Sequence, residues 1–328
     1  MTTTAPLAPA WPRRLAPKNS EVRQRAQAIL ERVASVVRGR PEAARLAVVA
    51  LLAEGHLLIE DVPGVGKTTL AKALAASIAA TTGRIQFTPD LMPSDIIGSH
   101  VYRADTSDFE FIPGPVFAHL VIGDEINRAS PKTQSALLEA MQEGHVTVDG
   151  KTYPLPRPFI VVATQNPVEM EGTYALPEAQ RDRFMARVAV GYPDLAHEIA
   201  LLDAQEVSDP LDGLTPVLSA AEVLGLITSI RGLYAAPAIK RYIADLARAT
   251  RGAPPIALGA SPRAAIQLLR AAKAAAALDG REHVLPDDVQ RLLPATWSHR
   301  LVLTRSARAQ GQTAETVLDE LMRRVPVR

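Results

Sequence analysis

Leu58-Ile-Glu-Asp-Val-Pro-Gly-Val-Gly-Lys-Thr-Thr69 is the stretch of this 328-residue chain on which the fold turns. It leaves a short apolar run at 56–60, the pattern of a buried parallel strand, and enters helical periodicity at 67–80. A strand feeding a glycine-rich turn that opens a helix is the setting in which such a turn cradles phosphate. Gly64 and Gly66 let the backbone curl so that successive N–H groups point at phosphate oxygens, with Pro63, Val65 and Thr69 completing the loop. The helix start adds the positive end of its dipole. Lys67 can reach the β- and γ-phosphates of ATP, and Thr68 can place its hydroxyl on Mg2+. The usual pattern asks for glycine where Asp61 stands, so the backbone there must suit a residue with a side chain.

Outward from the loop, further apolar runs at 84–87, 119–123, 159–164 and 187–190 alternate with helical or turn-rich segments. Alternation of this kind predicts an α/β fold, a mostly parallel sheet with helices on both faces. The run at 119–123 ends in Asp124-Glu125. Alone, such a pair is usually a helix cap or a solvated turn. Some sixty residues after a phosphate loop, it reads as a metal-holding Asp124 and a Glu125 that orients and deprotonates the attacking water. The run from Phe159 ends in Thr164-Gln-Asn166, which brings Asn166 out beside the acidic pair, either to sense the γ-phosphate or simply to start a turn with Pro167. Segments 101–111 and 145–155 read as hairpins, the second with Asp149-Gly150 at its tip.

Composition sets bounds on what this site serves. No cysteine is present, which excludes disulfide frameworks, thiolate metal sites and cysteine nucleophiles, and a cytoplasmic location is the simplest expectation. The seven histidines stand at no metal-ligand spacing. A formal net charge of +1 argues against nucleic acid as the main partner. No apolar run approaches the roughly 20 residues of a membrane span. Residues 1–20 read as a Pro-rich leader and 21–205 as the nucleotide-binding domain, with helices at 21–37 and 41–53. A polar stretch at 203–216 marks a boundary, after which strands are expected to disappear. Residues 206–308 then form a small helical domain with helices at 219–233, 237–251, 262–278 and 286–293, followed by a helix or tail over 309–328.

Several collinear motifs carry a family resemblance: Glu60-Asp-Val-Pro-Gly-Val-Gly-Lys-Thr68, Gln86-Phe-Thr-Pro-Asp-Leu-Met-Pro-Ser-Asp95, Asp124-Glu-Ile-Asn-Arg-Ala129, Ala163-Thr-Gln-Asn-Pro167, Leu176-Pro-Glu-Ala-Gln-Arg-Asp-Arg-Phe184 and Gly259-Ala-Ser-Pro-Arg-Ala264. Over 21–304 the chain resembles the MoxR-type AAA+ ATPases. The resemblance implies an αβα core with a five-stranded parallel sheet, hairpin inserts and an all-α lid. It also implies Asn166 as first sensor, Arg183 as the finger that reaches a neighbouring subunit's phosphate, and Arg263 as the lid's phosphate sensor. On residues alone, the preferred reading of Arg183 is an ion pair with Asp182 or Glu178, Arg181 competes with it as the finger, and Arg263 reads as a solvated helix start. The resemblance further implies a homo-oligomeric ring, usually a hexamer, that remodels client proteins with a partner carrying a von Willebrand factor A (VWA) domain. Two related alternatives are a nucleic-acid motor and a metal-chelatase motor subunit; a metabolite kinase is more remote.

Overall fold

The computed structural model describes residues 19–166, 173–192, 194–199 and 211–328. Five strands, β1 (His56–Glu60), β2 (Thr82–Gln86), β3 (Leu120–Asp124), β4 (Ile160–Gln165) and β5 (Phe184–Val188), form one parallel sheet in the order β5-β1-β4-β3-β2. β1, β3 and β4 are near-continuous apolar runs because both faces of the sheet are covered. Alternate side chains separate into two cores. Leu57, Ile59, Ile122 and Val162 join one, while Leu58, Val121, Val161 and Ala163 join the other.

The first core takes in α1 (Asn19–Val36), α2 (Pro41–Leu52) and α3 (Lys67–Ala76). The second packs under α4 (Pro131–Glu143), which starts at a Ser130 cap with Pro131 in its first turn and stops at Gly144 in the left-handed region, φ +67°. Two hairpins stand beside α4. The first spans Gly98–Arg103 and Asp108–Pro113, and the second His145–Val148 and Lys151–Pro154. Asp149 and Gly150 both take positive φ, 48° and 78°, as a two-residue hairpin turn requires. Phe111 stacks on Tyr153 at 4.1 Å and His100 Nδ1 meets Asp149 Oδ2 at 2.8 Å, so the hairpins brace each other.

The second domain comprises α5 (Ala220–Arg231), α6 (Pro237–Gly252), α7 (Pro262–Leu278), α8 (Pro286–Trp297) and α9 (Ala314–Arg324). α9 buries Val317, Leu318 and Leu321 in the first core. Three sequence expectations are corrected. Strands persist beyond residue 216: Leu218–Ser219 pairs with Ile78–Ala79, and Ile256–Leu258 with Val302–Leu303. The first of these pairings draws Ile78 and Ala79 into extended backbone, so α3 ends at Ala76 instead of running to residue 80. The last sheet strand begins at Phe184, opposite His56, and its pairing ends at Val188. Most of the expected leader and the 203–210 part of the expected boundary lie outside the described residues.

Candidate functional site

Because β1 lies one strand from β3, the turn that follows β1 reaches over β4 to the acidic end of β3. Thr68 Oγ1 donates to Asp124 Oδ1 at 2.9 Å. Gly64 and Gly66 take φ of +83° and +89°, and a Cβ on Gly64 would meet nothing within 4 Å, so the loop mouth stays open on that side. Lys67 Nζ donates to the carbonyls of Asp61 and Gln165, which lays the ammonium across the loop. Asp61 keeps φ outside the left-handed region, and its carboxylate accepts from the N–H groups of Val62 and Gly191. Its side chain thus ties the start of the loop to the segment leaving β5, a connection glycine could not make.

The acidic pair is held from several sides. Asp124 is almost wholly buried, and Arg84 Nε donates to its Oδ2 at 3.0 Å. Glu125 takes φ +59°, its N–H donates to Thr164 Oγ1 at 2.9 Å, and its Oε2 accepts from Arg128 at 2.8 Å and Gln86 at 3.3 Å. Asn166 is buried at the end of β4, where its carbonyl accepts from Asn127 Nδ2 at 3.2 Å. Together these groups line a cleft of about 380 Å³: Pro63, Gly64, Gly66, Lys67, Thr68 and Thr69 on the loop side, and Arg84, Gln86, Asp124, Glu125, Thr164 and Asn166 on the sheet side. Val65 turns away from it and packs against the first core.

A hydroxyl and a carboxylate meeting at hydrogen-bond distance are hard oxygen donors, the set on which Mg2+ sits when phosphates supply its other ligands. Among the described residues no three His, Cys, Asp or Glu side chains converge, so no protein-only metal cage competes with that arrangement there. The residues present fit a magnesium nucleotide.

Arg183 and Arg263 lie elsewhere. Arg183 directly precedes β5, and Phe184 pairs with His56 at the beginning of β1, so Arg183 sits at the amino edge of the sheet. The phosphate loop leaves the carboxyl edge, about 15 Å away along a five-residue strand. Arg263 acts electrostatically on His56, Arg183 and Arg300, all at that amino edge. Within one subunit, neither arginine lines the cleft. The reason is the lid's seat. Arg300 and His299 bond to the Phe184 carbonyl and Trp297 Nε1 to the Ala264 carbonyl, which anchors the start of α7 beside β5. Burial, with Arg263 close by, holds the Arg183 guanidinium below its ordinary range. Arg183 Nη1 donates to the Leu138 carbonyl, while its Nε is buried with no hydrogen-bond partner among the described residues, as is the Nε of Arg181. Arg181 pairs with Glu178 at 3.6 Å.

Sequence reasoning missed Arg84, Gln86 and Thr164 as cleft residues and Arg128 as the partner of Glu125. Arg84 and Gln86 are two apart on a strand, the spacing that sends both side chains to one face. Their neighbour Asp124 could be named only once the register of β2 on β3 was known.

The ATPase family associated with various cellular activities (AAA) matches residues 56–186, and the AAA lid domain matches 248–321. Over 91% of this chain and 93% of its own length, the uncharacterized protein YeaC of Bacillus subtilis is 50% identical. Chaperone MoxR1 of Mycobacterium tuberculosis is 41% identical over 93% of this chain and 83% of its own. A crystal structure of a candidate ATPase from Cytophaga hutchinsonii, 37% identical, superposes with a TM-score of 0.87 over 94% of this chain and 97% of that one. With its parallel sheet, its phosphate loop set against an acidic pair and its helical lid, the chain belongs to the MoxR-type AAA+ ATPases.

Proposed function

We propose that this ATPase works as a magnesium-dependent head-to-tail ring, each active site completed by the next subunit, and that it spends hydrolysis on remodelling client proteins. The observation that carries the reading is the division of charge within one chain. Lys67, Thr68, Asp124 and Glu125 meet at the carboxyl edge of the sheet, while Arg183 and Arg263 sit together at the amino edge without an ion pair to either among the described residues. Glu139 and Glu143 act on Arg183 without an ion-pair contact among the described residues, and the γ-phosphate of an adjoining subunit would give both guanidiniums a direct anionic partner.

In this reading the loop N–H groups and Lys67 bind the phosphates, Thr68 and Asp124 hold the metal, and Glu125 takes a proton from the attacking water at its carboxylate. Asn166 orients that water, and Arg183 and Arg263 offset charge on the transferred phosphoryl group from across the interface. Held by Thr68 and Asp124, Mg2+ would supply positive charge against the charge that develops on the phosphates. Client remodelling draws support from the relative named a chaperone and from the first hairpin, which exposes Tyr102 and Phe109 near its tip. A VWA-domain partner and a cytoplasmic location complete the proposal on the family resemblance; no described helix is long and apolar enough to cross a membrane.

The test mixes two inactive variants. Glu125→Gln subunits keep the finger and Arg183→Ala subunits keep the base, so a mixed ring regains hydrolysis at every interface that pairs an intact base with an intact finger. Turnover per subunit should also rise with protein concentration. A mixture as inactive as its components would show that Arg183 does not act across an interface.

A further inference from the structure

The cleft contains a cation that the phosphate-loop reading leaves without a task. Arg84 projects from β2 on the same side as Gln86, which the strand register sets opposite Asp124. Its Nε donates to Asp124 Oδ2 at 3.0 Å while Thr68 donates to Oδ1 at 2.9 Å, so both carboxylate oxygens are engaged. Exposure divides the pair unevenly: the Asp124 side chain is 5% accessible and that of Arg84 57%. A buried carboxylate left without a compensating cation is strongly destabilising, whereas a guanidinium already more than half in water loses little by leaving.

From this asymmetry we propose that Arg84 is a positioning residue, the resident counter-ion of Asp124, which gives way to Mg2+ as magnesium nucleotide loads. The proposal rests on the magnesium-nucleotide reading of the cleft. Mg2+ brought to Thr68 and Asp124 would set a second cation against the carboxylate that Arg84 already neutralises, so the two would compete for Asp124. Arg84 keeps the carboxylate aimed at Thr68 before loading and opposes capture of the metal by itself. Nucleotide phosphates tip the exchange by adding oxygen ligands that the protein lacks.

The test titrates Mg2+ against binding of a fluorescent ATP analogue to the full chain, with no turnover required. For Arg84→Gln, the half-saturating Mg2+ concentration should fall about two- to five-fold, the range set by loss of a partly exposed ion pair. The nucleotide-free variant should also melt at a lower temperature than the wild type, and Mg2+ alone should raise its melting temperature more than it raises that of the wild type. Arg84→Lys, which keeps the charge, should stay near the wild-type midpoint. An unchanged midpoint in Arg84→Gln would make Arg84 a spectator, and a raised one would make it a phosphate ligand; either overturns the exchange. If the wild type itself shows no Mg2+-dependent uptake, the reading of the cleft fails instead.

Discussion

At Glu125 the backbone pays for the position of a carboxylate. A φ of 59° is uncommon for a residue with a side chain and costs of order 1–3 kcal/mol unless its surroundings hold it. Here they do: Thr164 accepts the Glu125 N–H, and Arg128 and Gln86 both donate to Oε2. The left-handed turn bends the chain away from β3 immediately after Asp124, so two consecutive acids take different tasks: Asp124 stays buried under Arg84 while Glu125 reaches into the cleft. Glu125→Gln retains the shape and most hydrogen-bonding capacity of the side chain but removes the base. We expect its kcat to fall about 10²- to 10⁴-fold, the contribution of a positioned general base, with ATP-analogue affinity nearly unchanged. Equilibrium binding and steady-state turnover on the same preparation check this, and retained turnover would take the base away from Glu125.

Among the elements, β2 carries the least apolar sequence in the sheet yet supplies both Arg84 and Gln86 to the cleft. Its placement depends on Gly83, where an added Cβ would lie 2.0 Å from the Pro115 carbonyl oxygen and 3.3 Å from Ala118 Cβ. Backbone cannot retreat as a flexible side chain can, so Gly83→Ala must displace β2 or the Pro115 segment that precedes β3. A loss of about 1–3 kcal/mol is expected, as for overpacking elsewhere, together with a raised Kd for the ATP analogue because the cleft rim moves with the strand. Chemical denaturation and analogue binding measure the two effects; full stability with normal binding would show that the strand has slack. The same element marks where sequence stops being legible. Strands β1, β3 and β4, the phosphate loop, the acidic pair and both hairpins could be read because apolar runs, glycines and turn residues state local structure. The pairing of Arg84 with Asp124 and of Gln86 with Glu125 could not, since it follows from the register between strands some forty residues apart. Nor could the seat of the lid, which depends on His299, Arg300 and Trp297 bonding to backbone carbonyls of distant segments.

For the whole molecule, one apolar cluster runs from α1 and α2 through the sheet into α7, α8 and α9, so the two domains share a core and should unfold together. Two buried histidines lie at the amino edge of the sheet, where lid and sheet meet. His56 accepts the Val161 N–H at Nδ1 and faces the Met141 carbonyl from Nε2, at 3.0 Å each, an arrangement that only the neutral ring with its proton on Nε2 satisfies. Burial pushes its pKa down to about 4, with the Met141 bond opposing the shift. His299, next to Arg300 and bonded to the Phe184 carbonyl, is likewise held well below its ordinary value, first by burial and then by the neighbouring arginine. A histidine with a depressed folded-state pKa takes up protons more readily when the chain is unfolded. Its stability contribution is therefore complete above the unfolded value of 6.5 and is lost progressively as pH falls toward about 4. His56 alone accounts for about 3 kcal/mol across that window, and His299 adds in the same direction. Urea unfolding followed by far-UV circular dichroism from neutral to mildly acidic pH should show one transition whose midpoint falls steadily with pH, and His56→Gln should flatten the slope. A profile equally steep in that variant would mean that the acid sensitivity arises elsewhere, and two separate transitions would mean that lid and sheet do not share their core.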